Sequence, residues 1–189
     1  MRVQFHRHDG SDDPYVVLVR REDGYTVRLP GYDRTTAVPH HLAHFVTEHE
    51  FRLTHGVFGC IAAGAMFSNM TLVNARQRYD AQVRSRDVLR VHGSELSLAE
   101  ALSGVVHDAV EEGVDLGTGY RRLRGAWGAL RPEPCPYGAN DLRRVLDLLE
   151  QLRQRWYGLA DGGVLALRWD VSPLAVATAG RAQSRAPGR

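Results

Sequence analysis

The stretch of residues 38–67 constrains the fold of this chain more than any other part of the sequence. It contains five of the nine histidines and the longest apolar run. After Pro39, which fits the first turn of a helix, apolar residues recur at spacings of three and four, as on a buried helix face. The members of this face are Leu42, Phe45, Val46, His49 and Leu53. We therefore predict a central helix, with a narrow polar strip around Ala43, Thr47 and Glu50.

A second row on the same helix carries side chains that bind metals. His40, His44 and Glu48 follow one another at intervals of four residues, so their side chains stack along one face, and His41 lies alongside. Imidazole and carboxylate groups that converge on one point can hold a divalent ion, and zinc is the most plausible ion for this mixture. The row predicts a metal site formed by His40, His44, Glu48 and His41. Glu48 is also the candidate catalytic group, acting on a bound water.

The spacing of His40 and His44 is that of the zinc-hydrolase motif His-Glu-x-x-His, in which the Glu is the general base. Here the position of that Glu is taken by His41, so this base is absent. One helix rarely supplies three ligands to one ion without strain, and a further ligand is therefore expected from elsewhere. His6 and His8, which alternate onto one face of the first predicted strand, are candidates. The alternative is that the row is structural and hydrogen-bonds within a partly buried helix.

The segments PHHLAHFVTEHEF and GVFGCIAAGAMF resemble a group of short, uncharacterised bacterial proteins with a Pro-His-Asp-Leu-x-His-Phe-x-x-Glu pattern. His41 stands where that pattern has Asp. The other pattern positions are matched by Pro39, His40, Leu42, His44, Phe45 and Glu48. The resemblance implies a bacterial protein and draws attention to the histidine row, but it implies no activity.

Composition narrows the possible functions. The chain has 189 residues, 43% of them hydrophobic and 24% charged, which is typical of a globular domain. We expect residues 1–178 to form a single α+β domain and residues 179–189 to form a flexible basic tail. No stretch approaches the roughly 20 apolar residues of a membrane span, and the amino terminus lacks the apolar core of a signal peptide. A soluble, cytoplasmic protein is therefore expected.

All 24 basic residues are arginine. The absence of lysine excludes Schiff-base catalysis and the lysine-containing phosphate-binding loop, and no Gly-x-Gly-x-x-Gly fingerprint is present. Arginines cluster at residues 76–90 and 121–124, but the net charge of +2 does not favour nucleic acid as a partner. We interpret both clusters as solvated faces. The two cysteines suggest no disulfide framework, and Cys60 within the apolar run is interpreted as a small buried residue.

The rest of the chain predicts an α+β fold with a mostly antiparallel sheet. Three strands form an opening meander at residues 3–8, 15–20 and 25–29, with Gly24 in a tight hairpin, and residues 164–169 form a fourth strand that joins it. About five helices should cover this sheet of about four strands.

Several helix boundaries can also be predicted. We expect an apolar helix at residues 57–70 and a charged helix within residues 72–90. A capping box at residues 97–100 should begin the next helix, with His107 on its surface. Residues 114–138, rich in Gly and Pro, are predicted to be largely a loop, although part of residues 120–130 can be helical and pack Trp127. Asn140 is predicted to cap the last helix.

Two functions are favoured by the sequence alone, and nucleic-acid binding through the arginines of residues 76–90 is a third option that ranks last. The first is a metal-dependent hydrolase of small substrates, with zinc held by the histidine row. The second is a non-catalytic protein-binding or regulatory domain with structural histidines. The partner is an unknown small molecule in the first case and a protein in the second, while nucleic acid and membrane are not expected.

Overall fold

The computed structural model describes residues 1–8, 13–31, 36–73 and 79–171. Within them, five strands form one antiparallel sheet in the order β4-β3-β2-β1-β5. The strands are β1 (Arg2–Arg7), β2 (Tyr15–Arg20), β3 (Thr26–Pro30), β4 (Thr71–Leu72) and β5 (Val164–Arg168). The predicted meander is confirmed, and the predicted last strand does join it, because β5 pairs with β1. The strand missing from the prediction is the two-residue edge strand β4.

Six helices accompany the sheet in the described residues. They are α1 (His40–Glu50), α2 (Val57–Ala63), α3 (Tyr79–Val91), α4 (Gly93–Glu111), α5 (Leu116–Leu130) and α6 (Ala139–Tyr157). The expected α+β class is confirmed. None of these helices is long and apolar enough to cross a membrane.

Helix α1 lies at the centre of the core. Its residues 41–48 are all buried, because the sheet, α2, α4 and α6 pack around it. Phe45 contacts Phe5 of β1 edge-on, with ring centroids 6.3 Å apart. The predicted polar strip is wrong, since Ala43 and Thr47 have no exposed surface. The spacing of apolar residues revealed one buried face, but it could not show that other helices cover the remaining faces.

Alternation along the strands places the core on one face of the sheet. Val3 and Phe5 of β1 are fully buried, whereas the residues between and beside them point to the opposite face. The hairpin between β2 and β3 contains Gly24 with a φ of 86°, a conformation that glycine adopts without steric cost. This hairpin was predicted from the sequence.

Several predicted helix boundaries are corrected by the structure. Helix α2 ends at Ala63, seven residues before the predicted end at residue 70, because its carboxy-terminal cap Gly64 has a φ of 110° that stops the helix. Helix α4 begins at Gly93, so the predicted capping box at residues 97–100 lies inside the helix, where the Ser97 hydroxyl donates to the Gly93 carbonyl. Residues 116–130 form α5, so the helix allowed at residues 120–130 is present and begins earlier, and the predicted loop is shorter than expected.

The last helix is also capped differently. Its amino-terminal cap is Gly138, whose N–H donates to Asp141 at 2.7 Å, while Asn140 lies within the helix. Of the arginine cluster at residues 76–90, Arg86 and Arg90 are exposed on α3, as expected of a solvated face. Residues 76 and 78, like the predicted tail at residues 179–189, lie outside the described residues.

Candidate metal centre

Two helices bring three metal-ligating side chains together. His40 and His44 come from α1, and Glu100 comes from α4, which packs against α1. One ligand atom from each residue lies within 4.8 Å of the other two. Two imidazoles and one carboxylate match the donor set of catalytic zinc sites, in which three protein ligands leave one position open. This His/Glu group could hold a metal ion.

One pair of ligand atoms in this group already has a separation suited to a metal site. The His44 Nε2 atom lies 3.2 Å from the Glu100 Oε2 atom. In a tetrahedral site with bonds of about 2.0–2.1 Å, neighbouring ligand atoms are about 3.4 Å apart. The Glu100 side chain is 56% exposed and His44 only 1%, so the carboxylate reaches the buried imidazole from the solvent side. Contact with His44 lowers the pKa of Glu100, which keeps the carboxylate ionised.

Glu48 contacts the ring nitrogen of His44 that does not face Glu100. Its Oε1 atom lies 3.1 Å from His44 Nδ1 and accepts from the N–H of Val57 at 2.8 Å, while Oε2 accepts from the N–H of Phe58 at 2.9 Å. These two N–H groups begin α2 and have no partner within that helix. Glu48 is fully buried, and it thus satisfies the start of α2 and fixes the ring of His44 at once.

Hydrogen bonding determines which nitrogen of His44 is available to a metal. A carboxylate only accepts, so the Nδ1–H group must donate to Glu48. Nε2 then lies 3.2 Å from Glu100 Oε2, within ion-pair distance but outside hydrogen-bonding geometry, and an unprotonated Nε2 lone pair would repel the carboxylate. A proton or a metal ion between the two atoms removes that repulsion. A carboxylate that holds the far nitrogen of a metal-binding imidazole is a common arrangement in metal sites.

The protonation of His44 follows from these neighbours. Burial lowers the pKa of His44, but the contacts with Glu100 and Glu48 outweigh burial and raise the pKa to about 9. In the absence of metal, His44 is therefore a cation between two carboxylates at neutral pH. Binding of a metal at Nε2 has to displace this proton.

His41 lies beside the site and, in contrast to the cationic His44, is neutral. Its Nδ1 atom is 2.9 Å from the Tyr15 hydroxyl, which also accepts from the backbone N–H of His41 at 3.3 Å. The hydroxyl thus contacts both the ring and the backbone of His41. Burial, followed by repulsion from His44 and His40, lowers the pKa of His41 to about 3. His41 is accordingly neutral at pH 7 and is fixed by Tyr15.

His40 is placed between two other imidazoles. Its ring centroid is 4.7 Å from that of His44 and 5.9 Å from that of His107. The Nε2 atom of His107 lies 3.1 Å from the carbonyl oxygen of Val38, just before α1. The prediction of a surface position for His107 is wrong, since only 8% of this residue is exposed. His107 packs α4 against the start of α1.

A glycine makes room for the buried carboxylate. A Cβ atom at Gly56 would overlap the carboxylate carbon of Glu48. Gly56 immediately precedes α2, so its missing side chain allows Glu48 to reach the first N–H groups of that helix. The role of Gly56 is close approach and not an unusual backbone conformation, because its φ is −73°.

A small cavity of about 100 Å³ adjoins the metal-ligating group. Its polar lining consists of the three histidines His40, His41 and His44, with Glu100 and Asn69. Apolar side chains such as Leu29, Val57 and Phe67 line the rest. The volume corresponds to about three water molecules at roughly 30 Å³ each. The cavity can therefore admit water and the reacting end of a ligand.

The structure brings together only part of the predicted site. His40 and His44 lie together as expected, and His41 lines the same cavity. Glu48 lies behind His44 with both oxygens hydrogen-bonded to backbone N–H groups, outside the group whose ligand atoms converge. His6 belongs to the sheet face that points away from Phe5 and α1, so β1 does not direct it to this site.

Glu100 was not identified from the sequence. It lies 52 residues beyond Glu48, and its position in Ser97-x-x-Glu100 suggested a capping role that the start of α4 at Gly93 removes. Only the packing of α4 against α1 brings it to His44. A sequence signal for this pairing would have to be long-range, and helix periodicity contains none.

No protein-family model matches this chain, and neither the curated proteins nor the solved structures include a significant match. The resemblance to short bacterial proteins consequently stays a prediction. The functional argument rests on the geometry of the site.

Proposed function

We propose that this protein binds a divalent transition-metal ion, zinc being the best fit, through His40, His44 and Glu100. The observation that carries the proposal is the convergence of these three ligand atoms from two packed helices. A mixed nitrogen and oxygen donor set suits zinc, and the solvent-side carboxylate leaves a path for entry.

The side chains around the proposed ligands have distinct roles. Glu48 orients His44 through Nδ1 and leaves Nε2 for the metal. It supports α2 at the same time, so an orienting role suits it better than the role of ligand or general base. His41, held neutral by Tyr15, limits the positive charge of the site.

We further propose that the site acts as a small metal-dependent hydrolase. A bound zinc ion with three protein ligands lowers the pKa of a coordinated water toward 7. The adjoining cavity holds only about 100 Å³, which favours a substrate that inserts one small polar group.

The second candidate function is a non-catalytic domain in which these histidines are structural. It is favoured by the placement of His44 between Glu48 and Glu100, where a protonated imidazole lies within ion-pair distance of both carboxylates without a metal. The two functions make different demands on Glu100. Metal binding requires it as a ligand, whereas the structural function requires only its negative charge near His44.

Metal binding tests the choice directly. Untagged protein is analysed for metal by mass spectrometry, and zinc affinity is measured by calorimetry for the wild type, His44→Gln and Glu100→Gln. We expect about one zinc per wild-type chain and at least about a tenfold weaker affinity in each variant. The matched controls are His8→Gln and Glu133→Gln, which alter exposed residues away from the site. Equal zinc affinity in all five proteins would refute the metal site.

Hydrolysis is tested separately on zinc-loaded protein with small ester, amide and phosphoester substrates. We expect turnover that disappears on chelation and returns with zinc, and that is lost in Glu100→Gln. Zinc bound tightly with no turnover of any substrate would leave a metal-binding protein and reject the hydrolase. Absence of zinc, together with a loss of stability in His44→Gln, would support the structural alternative.

A further inference from the structure

The sheet carries a row of three arginines on the face opposite to the helices. Arg2 of β1 lies directly across from Arg20 of β2 on one side and from Arg168 of β5 on the other. Because side chains alternate along a strand, all three point away from the face that buries Val3 and Phe5. All three arginines are exposed.

This row is electrostatically unfavourable on its own. Directly opposite residues of antiparallel strands have Cβ atoms about 4.5–5.5 Å apart, and like charges there destabilise the pair. In the described part of the chain, none of the three forms an ion pair. Nearby arginines do have partners, since Arg28 pairs with Asp13 at 2.6 Å and Arg21 pairs with Asp23.

The row borders a groove with a volume of about 650 Å³. The lining combines the three arginines with Ala166 and Leu167 of β5 and with the β2–β3 turn. One carboxylate, Glu22, is present among the described lining residues. It is 90% exposed and contacts the amino group of Met1 at 3.2 Å. The groove is thus open, large and predominantly positive.

We propose that this groove binds a small ligand that carries two or more linked phosphate groups. Arginine presents a planar fork of N–H donors that matches phosphate oxygens, and several arginines can share one phosphate chain. The row crosses three neighbouring strands, or two strand spacings, about 10 Å in all. A chain of two or three phosphates can contact all three arginines at once more readily than a single phosphate can.

The charge distribution favours a small ligand over a long polyanion. The net charge of the chain is only +2, which does not favour a long polyanion such as nucleic acid as the ligand. The groove shares none of its lining residues with the candidate metal centre. The phosphate proposal therefore stands independently of the metal proposal.

Calorimetric titration of the full-length protein with inorganic tripolyphosphate, in low-salt buffer without divalent ions, tests this inference. The triple variant Arg2→Gln, Arg20→Gln and Arg168→Gln should bind at least about tenfold more weakly than the wild type. The matched control replaces Arg86, Arg124 and Arg143, which are exposed and without ion pairs in the described residues. This control has the same net charge as the test variant and should bind within about twofold of the wild type.

Two further measurements keep the result decisive. The thermal midpoint of the wild type should rise with tripolyphosphate, and that of the test variant should not. The thermal unfolding transition of the test variant also shows whether this variant is folded, so that a loss of binding can be told from a loss of fold. Equal losses in test and control variants would overturn the proposal, because general charge would then explain binding. Binding of a single-stranded oligonucleotide but not of tripolyphosphate would also overturn it, in favour of a macromolecular polyanion.

Discussion

Charged side chains around α1 have oppositely charged neighbours, whereas those on the outer face of the sheet have neighbours of the same charge. Around α1, the buried His44 has a carboxylate at each ring nitrogen, and the buried Glu48 has two backbone donors in addition. On the sheet, Arg2 faces Arg20 and Arg168 with no acid in between. In the first region, charged side chains have oppositely charged partners within the chain. In the second, three like charges lie side by side on the exposed face of the sheet.

This difference separates two kinds of ligand binding. At the buried site, an incoming cation has to replace the proton of His44, so binding competes with a stable internal arrangement. At the sheet face, an incoming anion relieves repulsion that the fold does not otherwise relieve. Substitutions of charged residues around α1 should therefore lower the stability of the protein, whereas substitutions of the sheet arginines should raise it.

The largest effect is expected for Glu48→Ala. It removes the partner of His44 Nδ1 and the acceptor of two N–H groups at the start of α2. Removing one member of a buried ion pair costs about 3–5 kcal/mol. We expect a loss of this size in the free energy of unfolding, measured by urea denaturation.

Glu48→Gln serves as the control for shape. Its amide oxygen still accepts from one N–H group, but its amide nitrogen faces the other as a second donor. We expect an intermediate loss. Equal, small losses in both variants would mean that Glu48 does not support α2.

A smaller effect is expected for Gly56→Ala, because the new methyl group would overlap the Glu48 carboxylate. Overpacking of this kind costs about 1–3 kcal/mol. Gly125→Ala in α5 is the matched control, since nothing lies within 4 Å of a Cβ atom there. Alanine in place of a helical glycine should add about 0.5–1 kcal/mol of stability. Thermal unfolding should thus show shifts of opposite sign, and shifts of the same sign would contradict the predicted close approach.

The pH dependence of stability should distinguish His44 from His41 in metal-free protein. The pKa of His44 is raised from 6.5 to about 9, so its stabilisation is complete below about pH 6.5 and is lost as the pH rises toward 9. The pKa of His41 is lowered to about 3, so its stabilisation is complete above about pH 6.5 and is lost as the pH falls.

Urea denaturation across this pH range measures both effects. His44→Gln should flatten the decline on the alkaline side, whereas His41→Gln should reduce the decline on the acid side. An alkaline decline of the same size in wild type and His44→Gln would show that another group causes it.

The smallest effect is expected for Arg2→Gln on the sheet face. Removing the central charge of the row should stabilise the protein by about 0.2–1 kcal/mol at low salt. The gain should shrink at high salt, because salt screens exposed charges. Arg143→Gln on α6 is the comparison, with no stabilisation expected. A stability loss in Arg2→Gln at low salt would contradict the repulsion.

The sheet and the central helix could be predicted because their signals are local. Alternation in β1 and β2, Gly24 in the hairpin and the apolar spacing after Pro39 each depend on neighbouring residues. The position of His40 and His44 on one helix face follows from the same geometry.

The composition of the site could not be predicted because it depends on packing between distant segments. Glu100 meets His44 only through the contact of α4 with α1, and His107 is buried by the same contact. Glu48 was recognised as part of the row, but its bond to the start of α2 needs the turn that follows α1. The spacing of apolar residues describes one helix at a time and gives no information about these contacts between helices.

The bond between Glu48 and the first turn of α2 makes two amide protons informative. The N–H groups of Val57 and Phe58 exchange with solvent only when their hydrogen bonds to this carboxylate break. Any ion that immobilises His44 also immobilises Glu48, so it should slow exchange at two residues whose backbone it never touches. Hydrogen exchange at these two positions would then report occupancy of the site from within the fold.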